Sequence, residues 1–368
     1  MLGTHKRGCA ARALVIEDTT RNHGRQDSHH RCTPEADTAR AEAGAPSLIW
    51  PSLVVGATSR AALFVLVYFS SSLLAHRNVG GKLLTTDARD FTGLVGRLFN
   101  PWANWDGVWY IRIAGHGYAA YPDSQGFFPL YPLLVHYLGR ALGSEFELAG
   151  IVLSLACFLA LCVMLYKLAA REFSPRVGYW TVVFLSVFPT SLFFQAVYTE
   201  SLFVLLVVTC FYFSRRGTWP LAGLAGLLAT ATHVSGIVLV LPMALLYLRE
   251  RGWDPRRIRL SAAALLLVPG GLLLWMAYLK RTFGDALLFR QAEAHWGRTF
   301  AWPWQTVARG VSDAYYGLKG IPYQPLVAGR PQRRLDQVAK YYVDNPDSTM
   351  RSSSATSPRS SPSPWLGS

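Results

Sequence analysis

The sequence predicts an all-α membrane protein that crosses the bilayer several times. Apolar residues make up 51% of the 368 residues and charged residues only 16%, whereas about a quarter of the residues in a soluble domain are charged. Long apolar runs approach the length of about 20 residues that a helix needs to cross the hydrocarbon core. Arginines concentrate in the short loops between these runs, as in the cytoplasmic loops of polytopic proteins. We therefore predict about seven membrane helices and a large first extracytoplasmic loop.

The apolar runs define the order of the predicted membrane helices. Residues 1–46 before them are polar and lack periodicity, and residues 328–368 are rich in Ser and Pro, so we expect two disordered tails. Arg60 is a lone charge within the first run, so it must face protein or water. The predicted spans are Leu48–Ala75, Leu148–Ala170, Val177–Ala196, Tyr198–Phe213 and Leu260–Leu279, with two short helices in residues 219–248 that meet near His233.

Charge clusters set the orientation of these helices. Three loops, "KLAAREFSPR", "SRRG" and "RERGWDPRRIR", are basic and are predicted to be cytoplasmic. The span that ends at Arg171 then begins outside, so residues 76–147 form one extracytoplasmic loop. Residues 127–143 within this loop are apolar but contain two prolines, His136 and Arg140, which favours an interfacial or re-entrant helix. The net charge of +14 belongs to the loops, so nucleic acid is not an expected partner.

The most polar stretch of the predicted loop is "NPWANWDGVWYIRIAGHGY", residues 100–118. A carboxylate at the mouth of a membrane cavity can act as a general base, and an arginine can bind phosphate oxygens. Asp106 is the candidate base, although Asp-Gly is also a common turn sequence. The tryptophans have a plain alternative as an interfacial belt. On a helix, one face carries Trp105, Trp109, Arg112 and His116, and the adjoining face carries Asp106 and Tyr110.

Further candidates come from three other places in the sequence. Glu200 in "QAVYTESLF" lies at a predicted extracytoplasmic turn, where it is either functional or a helix-start acid capped by Thr199. His233 in "ATHVSG" is a site candidate or a satisfied core histidine. Trp296 and Arg298 in "HWGR" belong to a second extracytoplasmic segment, with a solvated charge as the alternative for the arginine.

Several chemistries are excluded by missing motifs. The chain has no GxxxxGK[ST], no GxGxxG after a strand, no HExxH and no GxSxG. ATP, NAD and hydrolytic zinc chemistry are therefore unsupported. Only Asp106 and Glu200 are plausible carboxylates for a metal site, so no metal ion is expected, and no other cofactor is. A transporter or flippase-like membrane protein without transferase activity is the alternative function, and it predicts internal repeats that the sequence does not show.

Three motifs in order resemble a known family. "WDGVWYIRIAGHGY" is followed by "FFPLYPLL" and then by "FPTSLFFQAVYTESLF", and the similarity extends through "ATHVSG" to "FGDALLFRQAEAHWGR". Across roughly residues 95–305 the chain resembles the PIG-V-type mannosyltransferases of the GT-C superfamily of polytopic glycosyltransferases. The form of the first motif looks closer to the bacterial branch of the family.

The resemblance implies a GT-C-like helical bundle over residues 47–327, with the loop 76–147 forming the active site. It implies a polyprenyl- or dolichyl-phosphate mannose donor and a lipid or glycan acceptor. Asp106 would be the catalytic carboxylate, and Tyr198, Glu200 and Arg298 would line the same cavity. Transfer would invert the sugar, and Arg112 or Arg298 would stabilise the leaving phosphate. A bacterial chain would lie in the plasma membrane and a eukaryotic one in the endoplasmic reticulum membrane.

The chain departs from the family pattern in two places. His233 stands where the family usually has arginine. After the second predicted loop the family continues with further membrane helices, whereas here "IPYQPLVAGRPQRRLDQVAKYYVDNPDS" leads into the Ser/Pro-rich tail. We therefore expect a C-terminally truncated member of the family.

Overall fold

The regular structure of the described residues is helical. The computed structural model describes residues 47–74, 93–121, 124–295 and 302–318, and no strand occurs within these ranges. The all-α prediction is therefore confirmed for the described part of the chain. The two tails that the sequence predicts to be disordered lie outside the described residues.

The described ranges contain twelve α-helices, which we number in chain order. They are α1 (Ile49–Leu74), α2 (Gly93–Phe99), α3 (Asp106–His116), α4 (Leu130–Ala141), α5 (Phe146–Glu172), α6 (Pro175–Val187), α7 (Glu200–Arg215), α8 (Trp219–Thr232), α9 (Val240–Glu250), α10 (Gly270–Phe283), α11 (Leu288–His295) and α12 (Pro303–Leu318). Short 3-10 helices at 100–103, 118–120, 124–126, 189–194, 234–239, 255–257 and 260–267 connect them.

The long helix α5 lies at the centre of the bundle. It packs against α1, α4, α6 and α7, and α7 packs in turn against α8. Phe158, Leu161 and Cys162 of α5 are fully buried in these contacts. In contrast, Leu66 of α1 and Phe184 of α6 are exposed, as are other large apolar side chains of those helices. Because such apolar surface is disfavoured in water, this outer surface is that of an integral membrane protein.

Fewer helices qualify as membrane spans than the sequence predicts. Within the described residues, Ile49–Ser70 and Phe146–Glu172 are long and apolar enough to cross a bilayer. The 3-10 helix 260–267 and α10 together form a third candidate that bends by 47°. The run predicted to span at 177–196 is broken, because α6 ends at Val187 just before Pro189. Seven membrane helices therefore stay a prediction.

Arg60 faces protein, as the sequence predicts for a charge within a span. The guanidinium is 3% exposed and donates hydrogen bonds to the carbonyl oxygens of Ser186 and Ser191. It also lies 4.3 Å from the ring centroid of Phe158. Ser186 lies in the last turn of α6 and Ser191 in the 3-10 helix that follows, so the arginine side chain ties α1 to the break after α6.

The predicted break near His233 is present. Helix α8 ends at Thr232, His233 is extended, and a 3-10 helix leads into α9. Gly236 folds back onto α8, since a Cβ atom there would lie 2.8 Å from the backbone of Ala229 and Thr230. The tight packing requires glycine and makes the break a defined corner.

The connection between α1 and α5 contains helices of its own. Helix α4 lies in the region predicted to be interfacial or re-entrant, and it packs against both α3 and α5. Tyr131, Val135 and His136 form its buried face, and His136 Nδ1 lies 2.6 Å from the carbonyl oxygen of Ala114 on α3. With 12 residues, α4 is too short to cross a bilayer.

Candidate active site

Asp106 is the first residue of α3, and an unusual backbone turn places it there. Trp105 before it has a φ of 52°, a conformation that is rare for a bulky side chain. Gly107 after it packs against the opposite loop, because a Cβ atom there would lie 3.3 Å from the carbonyl oxygen of Val197. Acidic residues are favoured in the first turn of a helix by the helix dipole. The Trp-Asp-Gly sequence thus directs a carboxylate to a helix start held close to a second motif.

The motif containing Tyr198 meets the motif containing Asp106. The backbone N–H of Asp106 donates a 3.3 Å hydrogen bond to the phenolic oxygen of Tyr198. Beside it, the N–H of Val197 donates to the carbonyl oxygen of Trp102 at 2.9 Å. Tyr198 lies in the turn before α7 rather than within a span, since α7 begins at Glu200. Two stretches that are far apart in the sequence therefore form one site.

The electrostatic environment keeps the phenol of Tyr198 protonated. Burial, the nearby negative charge of Asp106 and that of Glu200 raise the pKa of Tyr198 to about 12. A tyrosine phenol is already neutral at physiological pH, and the raised pKa keeps that of Tyr198 neutral into the alkaline range as well. Since Asp106 and Glu200 both act on this one group, the two carboxylates lie on the same part of the bundle.

Glu200 is the first residue of α7, as the helix-start interpretation predicts, but Thr199 does not cap the helix. Thr199 has helical backbone angles and makes no side-chain bond to the first turn of α7. Its hydroxyl is instead turned toward Tyr110 of α3 and accepts a 3.5 Å hydrogen bond from that phenol.

Burial, with a contribution from Glu200, also raises the pKa of Tyr131 on α4 well above its usual range.

A buried polar network connects Tyr131 and Ser154 to the backbone of Tyr198. It was not predicted from the sequence. Tyr131 Oη lies 3.1 Å from the carbonyl oxygen of Gly150 and 2.8 Å from Ser154 Oγ on α5. Ser154 Oγ in turn lies 3.5 Å from the carbonyl oxygen of Tyr198, and the ring of Tyr110 lies 5.1 Å from that of Tyr131. The network joins α3, α4, α5 and the turn before α7. Tyr131 is part of "FFPLYPLL", which was the available signal.

One face of α3 carries three of the predicted site residues, Trp109, Arg112 and His116. All three contact Tyr121. The guanidinium of Arg112 lies 5.7 Å from the ring centroid of Trp109 and 5.5 Å from that of Tyr121. His116 Nδ1 lies 3.3 Å from Tyr121 Oη. Trp105 was wrongly placed on this face, because its positive φ puts it before the helix, where its side chain is 63% exposed. The result is an aromatic wall around one guanidinium group, on the helix that begins with Asp106.

His233 lies near the first turn of α7. Its ring centroid is 5.5 Å from that of Phe203, which follows Glu200 by three residues. His233 Nδ1 accepts a 3.2 Å hydrogen bond from the N–H of Ser235. The side chain is exposed, so the alternative of a buried core histidine is wrong.

The second segment that the sequence assigns to the site is described only in part. Trp296 and Arg298 lie outside the described residues. Helix α11, which precedes them, packs against the 3-10 helix 124–126, and Phe289 contacts Phe128 with ring centroids 5.8 Å apart. The segment before the two predicted residues therefore reaches the α1–α5 connection.

Gln195 is a further candidate that the sequence reasoning missed. It lies in "FFQAVYTE", is fully buried, and neither amide atom has a hydrogen-bond partner among the described residues. The indole nitrogen of buried Trp102 also has no hydrogen-bond partner there. No group of three His, Cys, Asp or Glu side chains that could hold a metal ion occurs within the described ranges.

The fold and the site define an integral membrane protein in which two carboxylates lie where α3 and α7 begin and an aromatic wall runs along α3. Comparison with known proteins gives the family. The family model described as Mannosyltransferase (PIG-V) matches residues 61–247, which is half of the chain and includes Asp106, Tyr198, Glu200 and His233. The chain belongs to this family, and the resemblance found in the sequence is confirmed.

Similar proteins have been named in several animals and in a yeast. The GPI mannosyltransferase 2 of Drosophila pseudoobscura pseudoobscura is 32% identical over 110 residues, which are 27% of this chain and 24% of that protein. The GPI mannosyltransferase 2 of Schizosaccharomyces pombe is 28% identical over 148 residues, 38% of this chain and 31% of that protein. The GPI mannosyltransferase pigv-1 of Caenorhabditis elegans is 25% identical over 229 residues, 53% and 34% of the two chains.

These matches have a limited extent. The chain spans between 24% and 34% of the lengths of the three relatives. No solved structure matches the chain.

Proposed function

We propose that this protein transfers mannose from a polyprenyl- or dolichyl-phosphate donor to a hydroxyl group of a lipid-linked or glycan acceptor. The single observation that supports this most is that Asp106, at the start of α3, is hydrogen-bonded through its N–H to Tyr198, which precedes Glu200 at the start of α7 by two residues. Two acids near one neutral phenol suit the activation of a hydroxyl group. Membership of the mannosyltransferase family supports the identity of the sugar.

Asp106 is the proposed general base. Its carboxylate accepts the proton of the acceptor hydroxyl while the hydroxyl oxygen attacks the anomeric carbon of mannose. The bond from that carbon to the phosphate oxygen breaks, and its electron pair goes to the lipid phosphate. Attack from the side opposite the phosphate inverts the configuration of the sugar.

The other residues of the site bind the two substrates. Arg112 is placed by Trp109 and Tyr121, and it stabilises the charge that develops on the leaving phosphate. Tyr198, which keeps its proton, donates a hydrogen bond to a sugar hydroxyl, and Glu200 accepts one. His233, Trp296 and Arg298 complete the proposed cavity, with His233 in the position of the family's usual arginine.

The location and the acceptor are part of the proposal. The basic loops predict that the site faces the extracytoplasmic side, in the plasma membrane or in the endoplasmic reticulum membrane. The names of the relatives, GPI mannosyltransferases, support a lipid-linked glycan as the acceptor. The donor enters with its lipid chain in the bilayer, so the site needs no nucleotide.

The test is mannose transfer in membranes that contain the whole chain. Membranes are incubated with radiolabelled polyprenyl-phosphate mannose, and labelled lipid and glycan products are separated. Asp106→Asn removes the base at constant shape, and we expect it to lower transfer by about 100-fold or more. The matched control is Glu172→Gln, which also neutralises a carboxylate at constant shape. Glu172 lies at the C-terminal end of α5 and forms an ion pair with Arg215.

Two results would contradict the proposal. One is full transfer by the Asp106→Asn protein at equal expression. The other is movement of the labelled donor across the membrane by the unchanged chain without any covalent product, which would support the transporter alternative.

A further inference from the structure

A basic cavity lies at the other end of the α8–α9 unit, away from the corner at His233. Its volume is about 510 Å³. It is formed by the loop that joins α9 to the 3-10 helix 260–267. Its lining consists of Glu250, Arg251, Arg256, Arg257, Ile258 and Arg259. Four arginines and one glutamate therefore line the same cavity.

The loop around the cavity is held in place by Tyr247. This fully buried phenol accepts a 3.1 Å hydrogen bond from the N–H of Arg259 and lies 3.1 Å from Ser261 Oγ. The guanidinium of Arg251 lies 5.3 Å from the centroid of the Tyr247 ring. The two ends of the loop are thereby fixed to one side chain, so the arginines are presented by an ordered backbone.

The two acidic groups nearby are each paired with an arginine of the cavity. Glu250 Oε1 lies 4.0 Å from Arg251 Nη2. The indole N–H of Trp219 donates a 3.1 Å hydrogen bond to Glu250 Oε2. Asp254 accepts a hydrogen bond from the N–H of Arg256 and pairs with Arg257 at 3.3 Å. Arg251 Nε is buried and has no hydrogen-bond partner among the described residues. Because four arginines line the cavity and two carboxylates pair with them, the cavity keeps an excess of positive charge.

The surface beside the cavity is apolar. Trp253 is 60% exposed, Ile258 50% and Leu260 90%. A free phosphate ion makes no favourable contact with an apolar surface, whereas the acyl chains of a phospholipid pack against it. Guanidinium groups bind phosphate oxygens with paired hydrogen bonds, and basic pockets between membrane helices are suited to lipid headgroups.

We propose that this cavity binds the phosphate-bearing headgroup of an anionic membrane phospholipid, with the acyl chains along Ile258 and Leu260. The sequence predicts that this loop lies on the cytoplasmic side, opposite the proposed mannose-transfer site. The lipid site is independent of the proposed transfer activity. Its role is to anchor the loop between α9 and α10 to the membrane surface.

The test is lipid retention by the purified full chain, measured by native mass spectrometry in detergent. The chain is titrated with phosphatidylglycerol, with phosphatidylcholine and with inorganic phosphate. We expect bound phosphatidylglycerol to exceed bound phosphatidylcholine. The Arg256→Gln/Arg257→Gln protein should bind phosphatidylglycerol about tenfold more weakly, as the loss of charge-assisted hydrogen bonds implies. Both side chains are exposed, so folding should be retained.

A matched control removes the same charge elsewhere. Arg176→Gln/Arg216→Gln changes two exposed arginines in the other predicted cytoplasmic loops and should leave phosphatidylglycerol retention unchanged. Ile258→Ser/Leu260→Ser removes the apolar surface and should weaken binding of the lipid while binding of inorganic phosphate stays the same. The proposal would be overturned if the two double arginine variants lost equal amounts of phosphatidylglycerol binding. It would also be overturned if inorganic phosphate displaced the lipid at equal concentration.

Discussion

The backbone N–H of Asp106 donates a hydrogen bond to the phenolic oxygen of Tyr198, and the two residues are 92 positions apart in the sequence. This bond joins the start of α3 to the turn before α7. The bond uses the backbone N–H of Asp106 and not its carboxylate. The geometry makes Tyr198 both a structural support for Asp106 and a candidate contact for the sugar.

Tyr198→Phe separates these two roles. The substitution removes one hydrogen bond, so the free energy of unfolding should fall by only about 0.5–1.5 kcal/mol. Mannose transfer should fall by about tenfold if the phenol also binds the sugar in the transition state. The measurements are thermal unfolding in detergent and transfer in membranes.

The control for Tyr198→Phe is Tyr166→Phe on α5. The Tyr166 phenol accepts a 2.9 Å hydrogen bond from the N–H of Leu48, which is the same kind of bond away from the site. It should lose comparable stability and no transfer activity. If both variants transfer mannose equally well, Tyr198 has a structural role alone.

The raised pKa of Tyr198 predicts a dependence of stability on alkaline pH. The native protein binds the phenolic proton more tightly than the unfolded chain, in which the pKa is about 10. The stabilisation is therefore complete below pH 10 and is lost as the pH rises toward about 12. The stability difference between the unchanged chain and Tyr198→Phe should shrink over this range. Denaturant unfolding of both proteins at pH 8, 10 and 11 measures it, and a constant difference would contradict it.

Several features of the fold follow from local sequence. The corner at His233 was predicted because two basic loops must lie on one side of the membrane, and the structure has that break. The burial of Arg60 follows from the cost of a charge in lipid. In both cases one strong physical constraint acts on a single segment, so the outcome could be predicted without knowing its neighbours.

Other features depend on contacts that hydropathy does not encode. The network of Tyr131 and Ser154 joins residues 23 positions apart on α4 and α5, and an apolar pattern indicates burial but not the partner. Trp105 was assigned to a helix face because its spacing fits, whereas its backbone conformation starts the helix one residue later. Helix α6 is shorter than its apolar run because Pro189 ends it.

Gly107→Ala tests whether the close approach of the two motifs matters. The added methyl group would lie 3.3 Å from the carbonyl oxygen of Val197 and would push the turn before α7 away from α3. We expect a loss of about 1–3 kcal/mol in stability, as for overpacking, together with a large loss of transfer. Thermal unfolding and the membrane assay measure the two effects.

Gly115→Ala provides the matched control on the same helix. A Cβ atom there would meet Phe146 at 3.6 Å, an ordinary contact. Alanine is the better helix former, so this protein should be as stable as the unchanged chain or more stable by about 0.5–1 kcal/mol. Equal behaviour of the two variants would show that the approach of Gly107 to Val197 is not required.

The amide of Gln195, in the motif that contains Tyr198, is fully buried and has no hydrogen-bond partner among the described residues. Gln195→Met tests the role of this amide. An unsatisfied buried polar group costs about 1–3 kcal/mol, so an apolar side chain of similar shape should raise the unfolding temperature. If the amide binds a substrate hydroxyl, the same change should lower mannose transfer. The control is Ser186→Ala, because the Ser186 hydroxyl is also buried and its oxygen has no hydrogen-bond partner among the described residues. This change should leave mannose transfer unchanged. Greater stability together with full transfer by Gln195→Met would exclude Gln195 from the site.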